Sequence, residues 1–292
     1  MGAAGLAAGK DIEDPEQSSL NFERPTSKTV RVVNWNQMHL CLAPIKGFTE
    51  APYRNAAAAF FSGFDAAMAP FVATLRGRKS PSLHLKDLLP ENNSGWPVIP
   101  QILSNNPEEF VKLAGRLHDL GYDTVNWNLG CPFPRVAKKK RGSGLLPHPE
   151  RIGRFLDIVI NRIPNRLSIK TRIGRFDADE MSDLMPVFNR YPLAELIIHP
   201  RTGVQMYAGD PDLAMFKKCL ELSKNPVVYN GDINTLADYT TLSETFQSVD
   251  RWMLGRGALA DPFLPEAIKG LAPPGTEKLY IIRQFHDRLF ES

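Results

Sequence analysis

Residues 227–260 read VVYNGDINTLADYTTLSETFQSVDRWMLGRGALA. The stretch opens on a short apolar run, passes through a Gly-Asp turn and a segment of helical length, and returns to a second apolar run that ends at Leu254. This succession of strand, turn, helix and strand is the repeating unit of parallel α/β folds. A glycine-containing turn follows each apolar run, so the stretch also predicts a place where backbone amides approach an anion.

The same unit recurs along the rest of the chain. Segments with helical spacing fill the intervals between apolar runs, for example from Pro107 and from Pro149. Eight repeats within about 230 residues predict an α/β fold of the (β/α)8 TIM barrel type. A doubly wound open sheet is the alternative, because it uses the same alternation. The predicted strand ends are Ala43, Ala69, Ile102, Asn128, Thr171, His199, Asn230 and Leu254.

The pattern divides the chain into three predicted regions. Residues 1–37 mix small, polar and charged residues without a period, which predicts a flexible N-terminal extension. Residues 38–270 hold the repeats and form the predicted barrel. Residues 271–292 follow a Pro-Pro-Gly break and predict a helix from about Thr276, either a lone docking helix or the start of a truncated helical region.

The composition indicates a cytoplasmic soluble protein. Hydrophobic residues make up 43% and charged residues 23%, and the net charge is +3. The three cysteines form no CxxC pair, which favours a reducing compartment over a disulfide framework. No apolar run reaches the roughly 20 residues that span a bilayer, and the scattered histidines predict no metal site. We expect a monomer without membrane contact.

Polar residues follow nearly every predicted strand end. In a (β/α)8 barrel the loops after the strands converge over one mouth, so these residues are expected to share one site. Gly231, Gly255 and Gly257 supply the turns that predict a phosphate site. The other candidates are Pro44, Lys46, Pro70, Gln101, Asn128, Cys131, Lys170, Arg172, His199, Arg201, Asn230, Asp232 and Arg256.

Lys170 is the candidate with the most competing interpretations. It lies inside or at the end of an apolar strand, where a charged amine needs a partner. A Schiff-base lysine, a cation beside an electron-rich cofactor ring and a structural ion pair all fit this placement. His199 and Arg201 follow the next strand, and this pair can bind anionic groups.

Cys131 differs from Cys41 and Cys219, which fall within a strand and a helix. It follows Asn128 on a Gly-Cys-Pro turn that is expected to hang over the barrel mouth. A free thiol has a pKa of about 8.5 and is protonated at neutral pH, so Cys131 can donate a proton or, when ionised, attack as a nucleophile.

A cationic run begins four residues after Cys131. Such a run is either a solvated face or a site for a polyanion, and its place beside the candidate loop favours the polyanion. Arg76, Arg78 and Lys79 can extend it. The run consists of Arg135, Lys138, Lys139, Lys140 and Arg141.

These motifs, in this order, resemble the tRNA-dihydrouridine synthase family over residues 40–265. The resemblance implies a barrel enzyme that binds FMN, oxidises NADPH and reduces the C5–C6 bond of uridines in tRNA. The stretches that carry it are APIKGFTEAPYR, PQILSNNPEEF, NWNLGCPFP, KKKRGSGLL, SIKTRIG, IHPRTGVQMYAG, NGDI and LGRGAL.

The resemblance also implies a role for each candidate. Cys131 donates the proton to C5, Asn128 contacts the substrate beside it, Arg201 faces substrate or cofactor, and the cationic run binds tRNA. The flavin ring is held by Gln101, Lys170 and the backbone of Ala43, Pro44 and Ile45. Its ribityl phosphate is held by His199, Asn230, Gly231, Asp232, Gly255 and Arg256.

Two departures from the family pattern and two alternative functions accompany this interpretation. Ile45 replaces the methionine usual in the first motif, and the family's C-terminal helical domain, which grips tRNA, is mostly absent after Gly270. The alternatives are a Schiff-base barrel aldolase that uses Lys170 and a non-catalytic RNA-binding barrel that uses the cationic run.

Overall fold

The computed structural model describes residues 39–74 and 85–291. The predicted extension, residues 1–37, and the cations Arg76, Arg78 and Lys79 lie outside these residues. All strand pairs of the described chain are parallel. The strands are β1 (His39–Leu42), β2 (Ala66–Met68), β3 (Val72–Ala73), β4 (Val98–Ile99), β5 (Gln101–Leu103), β6 (Thr124–Leu129), β7 (Arg166–Arg172), β8 (Leu196–His199), β9 (Val227–Tyr229) and β10 (Arg251–Leu254).

The ten strands occupy eight positions in a closed ring. The sheet order is β3-β5-β6-β7-β8-β9-β10-β1-β2-β4. β2 and β3 follow each other in the chain and together form the second barrel strand. β4 and β5, which are separated only by Pro100, together form the third. Each of these two barrel strands is interrupted once, and their pieces lie at both ends of the sheet order, which closes the ring. Pro100 has no N–H to donate, and its carbonyl accepts from Asn126 N at 2.8 Å. The predicted (β/α)8 TIM barrel is therefore confirmed.

Helices surround the strands as predicted. Two of them begin at Pro107 and Pro149, because the fixed φ of proline suits the first turn of a helix and its missing N–H is not needed there. The helices are α1 (Ala51–Phe60), α2 (Pro107–Asp119), α3 (Pro134–Ala137), α4 (Pro149–Val159), α5 (Glu180–Phe188), α6 (Leu213–Leu222), α7 (Leu236–Thr245), α8 (Arg256–Ala260), α9 (Leu264–Ile268) and α10 (Gly275–Phe290).

The apolar core has a large outer shell and a small inner one. The outer shell lies between strands and helices, where Trp127 stacks on Phe155 with ring centroids 3.9 Å apart. The inner shell fills the barrel and consists of Cys41, Ala43, Ala66, Met68, Ile99, Ile197, Val228 and Met253. Three of these residues are small, so the barrel interior leaves space for polar side chains above them.

The predicted C-terminal helix forms α10 and packs on α1. Phe285 is buried there, and its ring meets Tyr53, Phe60 and Phe61 edge to face at centroid distances of 5.9, 6.4 and 5.1 Å. Such contacts stabilise an aromatic cluster beyond the area it buries. The helix is thus docked on the barrel by its own apolar residues.

Two further observations apply to the described residues. Within ranges 39–74 and 85–291, none of the helices has the length and apolar character needed to cross a bilayer. The same ranges contain no group of three or more His, Cys, Asp or Glu side chains placed to hold a metal ion.

Candidate active site

A cavity of about 590 Å³ opens at the C-terminal ends of the strands. This volume lies within the range of sites for small molecules and cofactors. Every predicted catalytic and cofactor residue lines it, whereas Arg201 and the cationic run do not. The lining members of the predicted set are Ala43, Pro44, Ile45, Gln101, Asn128, Cys131, Lys170, His199, Asn230, Gly231, Asp232, Gly255 and Arg256.

The Cys131 loop is held from two sides. Asn128 Oδ1 accepts hydrogen bonds from Gly130 N at 3.2 Å and Cys131 N at 2.9 Å. On the other side, Ser143 N and Ser143 Oγ both donate to Cys131 O at 3.0 Å. Gly142 has φ 55°, and a Cβ there would lie 2.7 Å from Cys131 O, so this position requires glycine. The thiol therefore has a fixed place at the cavity wall.

Side-chain amides from β5 and β6 and a hydroxyl from β7 connect this loop to the barrel interior. Asn128 Nδ2 donates to Gln101 Oε1 at 2.7 Å, and Gln101 Nε2 donates to Asn126 Oδ1 at 2.8 Å. Asn126 Nδ2 then donates to Ser168 Oγ at 2.8 Å. This row fixes the amide orientation of Gln101. The sequence carried a signal for it, since Asn126 and Asn128, like Ser168 and Lys170, are two residues apart and share one face of a strand.

The Cys131 thiol is protonated at neutral pH. Burial raises its pKa above that of a free thiol, while a hydrogen bond to the backbone of Phe133 and the charges of Arg172, Lys170 and Arg175 lower it. Burial prevails because the side chain is only 8% exposed. No residue of the cationic run is among these charges.

At pH 7 the Lys170 amine is about half protonated. Its pKa is lowered from 10.5 to about 7, first by burial and then by the charge of Arg172. Its side chain forms no ion pair with any residue in ranges 39–74 and 85–291, so of the three interpretations the structural ion pair is not observed. Lys170 pairs in register with Asn128 across β6 and β7, which brings the amine to the same wall as the Cys131 loop.

The N–H groups of the segment after β1 are already satisfied. Ala43 N donates to Leu254 O at 2.7 Å, and Ile45 N donates to Thr49 Oγ1 at 2.8 Å. Pro44 has no N–H. The predicted backbone contact from this segment therefore reduces to carbonyl oxygens and apolar surface, which includes the Ile45 side chain.

Arg201 differs from its prediction. Its side chain is buried, is paired with Asp232 through both terminal nitrogens, and donates from Nε to Gly209 O at 3.0 Å. A tight turn, in which Arg201 N donates to His199 O at 2.7 Å, directs the side chain behind the cavity wall. Arg201 thus does not face a ligand but anchors the loop that follows β8.

Asp232 is shared by two arginines. Arg256 Nη2 donates to Asp232 Oδ1 at 2.8 Å, the same oxygen that accepts from Arg201 Nη1 at 2.9 Å. The hydrogen bond from Arg201 is the largest cause that lowers the pKa of the Asp232 carboxyl. The carboxylate therefore orients the Arg256 guanidinium at the cavity rather than being free to bind a ligand itself.

The hydrogen bond from Arg201 fixes the tautomer of His199. Arg201 Nη1 lies 3.1 Å from His199 Nε2. A guanidinium can only donate, so Nε2 accepts and the imidazole proton is on Nδ1. Burial and the charges of Arg172, Lys170, Arg201 and Arg256 hold the pKa of His199 well below 6.5. His199 is a neutral hydrogen-bond donor.

We expect this tautomer to be observable directly. In ¹⁵N-histidine NMR spectra, the His199 signals should be those of a neutral ring protonated at Nδ1, and they should not shift as the pH falls through 6.5. The urea-unfolded protein is the control, because His199 then titrates normally. A His199 ring that becomes cationic near pH 6.5 in the folded protein would contradict the assignment.

Tyr207 is a cavity residue that the sequence did not reveal. Its ring lies between two guanidinium groups, with Arg172 Cζ at 5.4 Å and Arg256 Cζ at 5.0 Å from the centroid. These distances are those of cation–π contacts. The ring comes from an irregular loop, where no periodicity indicates which side chains turn inward. Phe48, Phe71 and Phe133 also line the cavity without having been predicted.

The donor set and shape of the cavity fit a flavin nucleotide. An amine without an ion-pair partner in the described chain, Lys170, faces the same space as the guanidinium of Arg256. A Cβ at Gly255 would project beside Ala43 and Ile45 without meeting an atom closer than 3.5 Å, so glycine keeps this part of the cavity free. Apolar walls with cations and amide groups suit a flat ring that carries a phosphate.

Comparison with known proteins gives relatives over most of the chain. The profile of the dihydrouridine synthase family matches residues 41–286. A tRNA-dihydrouridine(16) synthase of Cupriavidus necator is 28% identical over 256 residues, which cover 84% of this chain and 79% of that protein. A probable tRNA-dihydrouridine synthase of Staphylococcus epidermidis is 31% identical over 201 residues, which cover 67% of this chain and 60% of that protein.

Solved structures of similar shape support the fold. A point mutant of morphinone reductase in complex with tetrahydroNAD aligns with a TM-score of 0.56 at 12% identity, covering 80% of this chain and 87% of that one. An old yellow enzyme homologue from Zymomonas mobilis aligns with a TM-score of 0.57 at 13% identity, covering 80% and 89%. The match of the family profile confirms the resemblance predicted from the motifs, and the chain belongs to the dihydrouridine synthase family.

Proposed function

We propose that this protein is a tRNA-dihydrouridine synthase, which reduces the C5–C6 double bond of a uridine in tRNA with FMN that NADPH has reduced. The observation that carries the proposal is the presence of a protonated thiol, Cys131, and an amine of lowered pKa, Lys170, in one flavin-sized cavity. The names of the relatives from Cupriavidus necator and Staphylococcus epidermidis agree with it.

In this proposal the cavity residues divide between the two ends of FMN. Lys170 and Gln101 face the ring, with Ala43, Pro44 and Ile45 as its apolar floor. Arg256, held by Asp232, faces the phosphate together with the glycines at 231 and 255 and the polar side chain of Asn230. His199 presents Nδ1–H, and Arg201 holds this group in place from behind.

The proposed proton transfer is assigned to Cys131. FMN held in this cavity and reduced would supply a hydride to C6 of the uracil. Negative charge then develops toward C5 and O4, and the Cys131 thiol gives its proton to C5 as a general acid. Burial favours the protonated thiol, so the acid is ready at neutral pH. Asn128 keeps the thiol loop in position through Gly130 N and Cys131 N.

Charge at the mouth supports an RNA substrate. Arg135, Lys138, Lys139 and Lys140 are exposed on α3 and the turn after it, directly beyond the Cys131 loop. Such cations bind phosphates without reading sequence. The run is therefore assigned to the tRNA backbone outside the cavity, not to the reacting base.

An aldolase is the second candidate, and one observation favours it. A pKa of about 7 makes Lys170 a competent amine for Schiff-base formation. The two functions differ in a simple test. Purified protein should absorb as a flavoprotein, release FMN on denaturation, oxidise NADPH and form dihydrouridine in tRNA that lacks it. Colourless protein in which borohydride traps a carbonyl compound on Lys170 would favour the aldolase.

A further inference from the structure

Exposed apolar side chains lie on three adjacent loops at the cavity end of the barrel, and two of them, Phe133 and Tyr207, line the cavity. Phe133, Phe176, Val204 and Tyr207 are 51%, 67%, 50% and 49% exposed. They come from the loops that follow β6, β7 and β8, which are adjacent in the barrel. We call these four residues the apolar rim. Single exposed apolar residues are ordinary, but a group of them beside a cavity indicates a binding surface.

Hydrogen bonds between the loops make the apolar rim continuous. Arg175 Nη1 donates to Pro132 O at 3.1 Å, which joins the loop of Phe133 to that of Phe176. Val204 N donates to Arg175 O at 2.9 Å, which joins the loop of Phe176 to that of Tyr207. The three loops therefore present their apolar side chains as one surface.

The loop that carries Phe176, the most exposed residue of the apolar rim, is held by a carboxylate. Glu180 accepts hydrogen bonds from Arg175 N and Phe176 N, both at 2.8 Å, and from Asp177 N at 3.2 Å. The Phe176 side chain is thus exposed to solvent on a loop whose backbone is already ordered. A ligand that covers its ring does not need to order the loop, which lowers the cost of binding.

Cations alternate with the rings of the apolar rim. Arg175 Cζ lies 5.7 Å from the ring centroid of Phe176, and Tyr207 is flanked by Arg172 and Arg256. The cationic run lies directly beyond Phe133. Aromatic rings interleaved with cations bind unpaired nucleotides, because each base stacks on a ring while its phosphate meets a positive charge.

We propose that the unpaired nucleotides on either side of the target uridine stack on Phe133 and Phe176 of the apolar rim. This inference rests on the proposed function and adds to it the way in which the substrate is engaged. The enzyme then requires a uridine whose neighbours are unstacked from the RNA, as in a loop. A paired helix cannot offer those base faces.

Substitutions at Phe176 separate stacking from simple apolar contact. The probe is a short RNA hairpin whose loop carries one uridine, and the holoenzyme is titrated with it. Phe176→Ala and Phe176→Leu are expected to weaken RNA binding by roughly 5- to 100-fold. Phe176→Trp is expected to retain RNA binding, and the fluorescence of the introduced tryptophan should be quenched by the RNA. The control is Leu222→Ala at the C-terminal end of α6, where the side chain is 49% exposed at the opposite end of the barrel. It should bind as wild type does.

An abasic hairpin completes the test. When the nucleotides beside the uridine carry no base, the wild-type enzyme should bind the hairpin more weakly. Phe176→Ala should then lower the affinity for this abasic hairpin little further, because both changes remove the same contact. Equal binding by wild type and Phe176→Ala, additive losses, or full retention of RNA binding by Phe176→Leu would overturn the inference, the last of these because an apolar contact without ring stacking would then suffice. Loss of dihydrouridine formation by the wild type would instead contradict the proposed function.

Discussion

Cys131→Ala is expected to form no detectable dihydrouridine while it retains bound flavin. Removal of a general acid lowers rates by about 10²- to 10⁴-fold, and no other thiol in the described residues lines the cavity. Flavin binding should persist because the contacts assigned to the cofactor come from other strands. The measurement is single-turnover formation of dihydrouridine by enzyme whose flavin has been reduced beforehand, with the flavin spectrum recorded on the same sample.

Cys219→Ala is the matched control for this experiment. Cys219 is a buried core residue of α6 and does not line the cavity. This variant should turn over at the wild-type rate. Turnover by Cys131→Ala near that of Cys219→Ala would show that another group, or water, supplies the proton to C5.

The pH dependence of the same reaction follows from the protonation state of the thiol. An acid is active while it holds its proton, so the rate falls as the pH rises through its pKa. Burial raises the pKa of Cys131 above 9.0, which places this fall above pH 9.0 rather than near neutrality. The serine variant, whose hydroxyl does not ionise in this range, should be slow and lack the alkaline fall.

Most of the fold and the cavity wall could be predicted because both depend on features local in sequence. Polar residues lie at or just after nearly every predicted strand end, and parallel strands bring such ends together. The predicted end at His199 is that of β8, and the predicted end at Leu254 is that of β10. Cys131 and Lys170, which are 39 positions apart in sequence, consequently line one cavity.

The parts that could not be predicted depend on where side chains turn after the strands end. Arg201 has the residue type and spacing of a ligand contact, but the turn after His199 directs it to Asp232. Tyr207 lies in a loop without periodicity. Its ring is held at the cavity by cation–π contacts with Arg172 and Arg256. Such directions are set by contacts between loops that the linear pattern does not encode.

Lys170→Met is expected to stabilise the protein without cofactor and to inactivate the enzyme. Burial lowers the pKa of Lys170 from 10.5 to about 7 in the folded state. Between these values the unfolded chain holds more protons at this position, so the free energy of unfolding of the wild type rises with pH across this interval. Below pH 7 the buried charge of Lys170 lowers the free energy of unfolding of the wild type by its full amount, about a few kcal/mol. Methionine has similar length and no charge, so it removes the penalty.

Urea unfolding of the two cofactor-free proteins measures this effect. Lys170→Met should be the more stable protein at about pH 6, and its advantage should shrink as the pH approaches about 10, where wild-type Lys170 is neutral when folded and increasingly neutral when unfolded. Lys217→Met on the exposed face of α6 is the control and should show no such convergence. An advantage that is equal at both pH values would mean that Lys170 titrates as an exposed amine. The same variant should bind flavin weakly and fail to reduce uridine, because the amine that destabilises the empty barrel is the group that the proposed function places at the flavin ring.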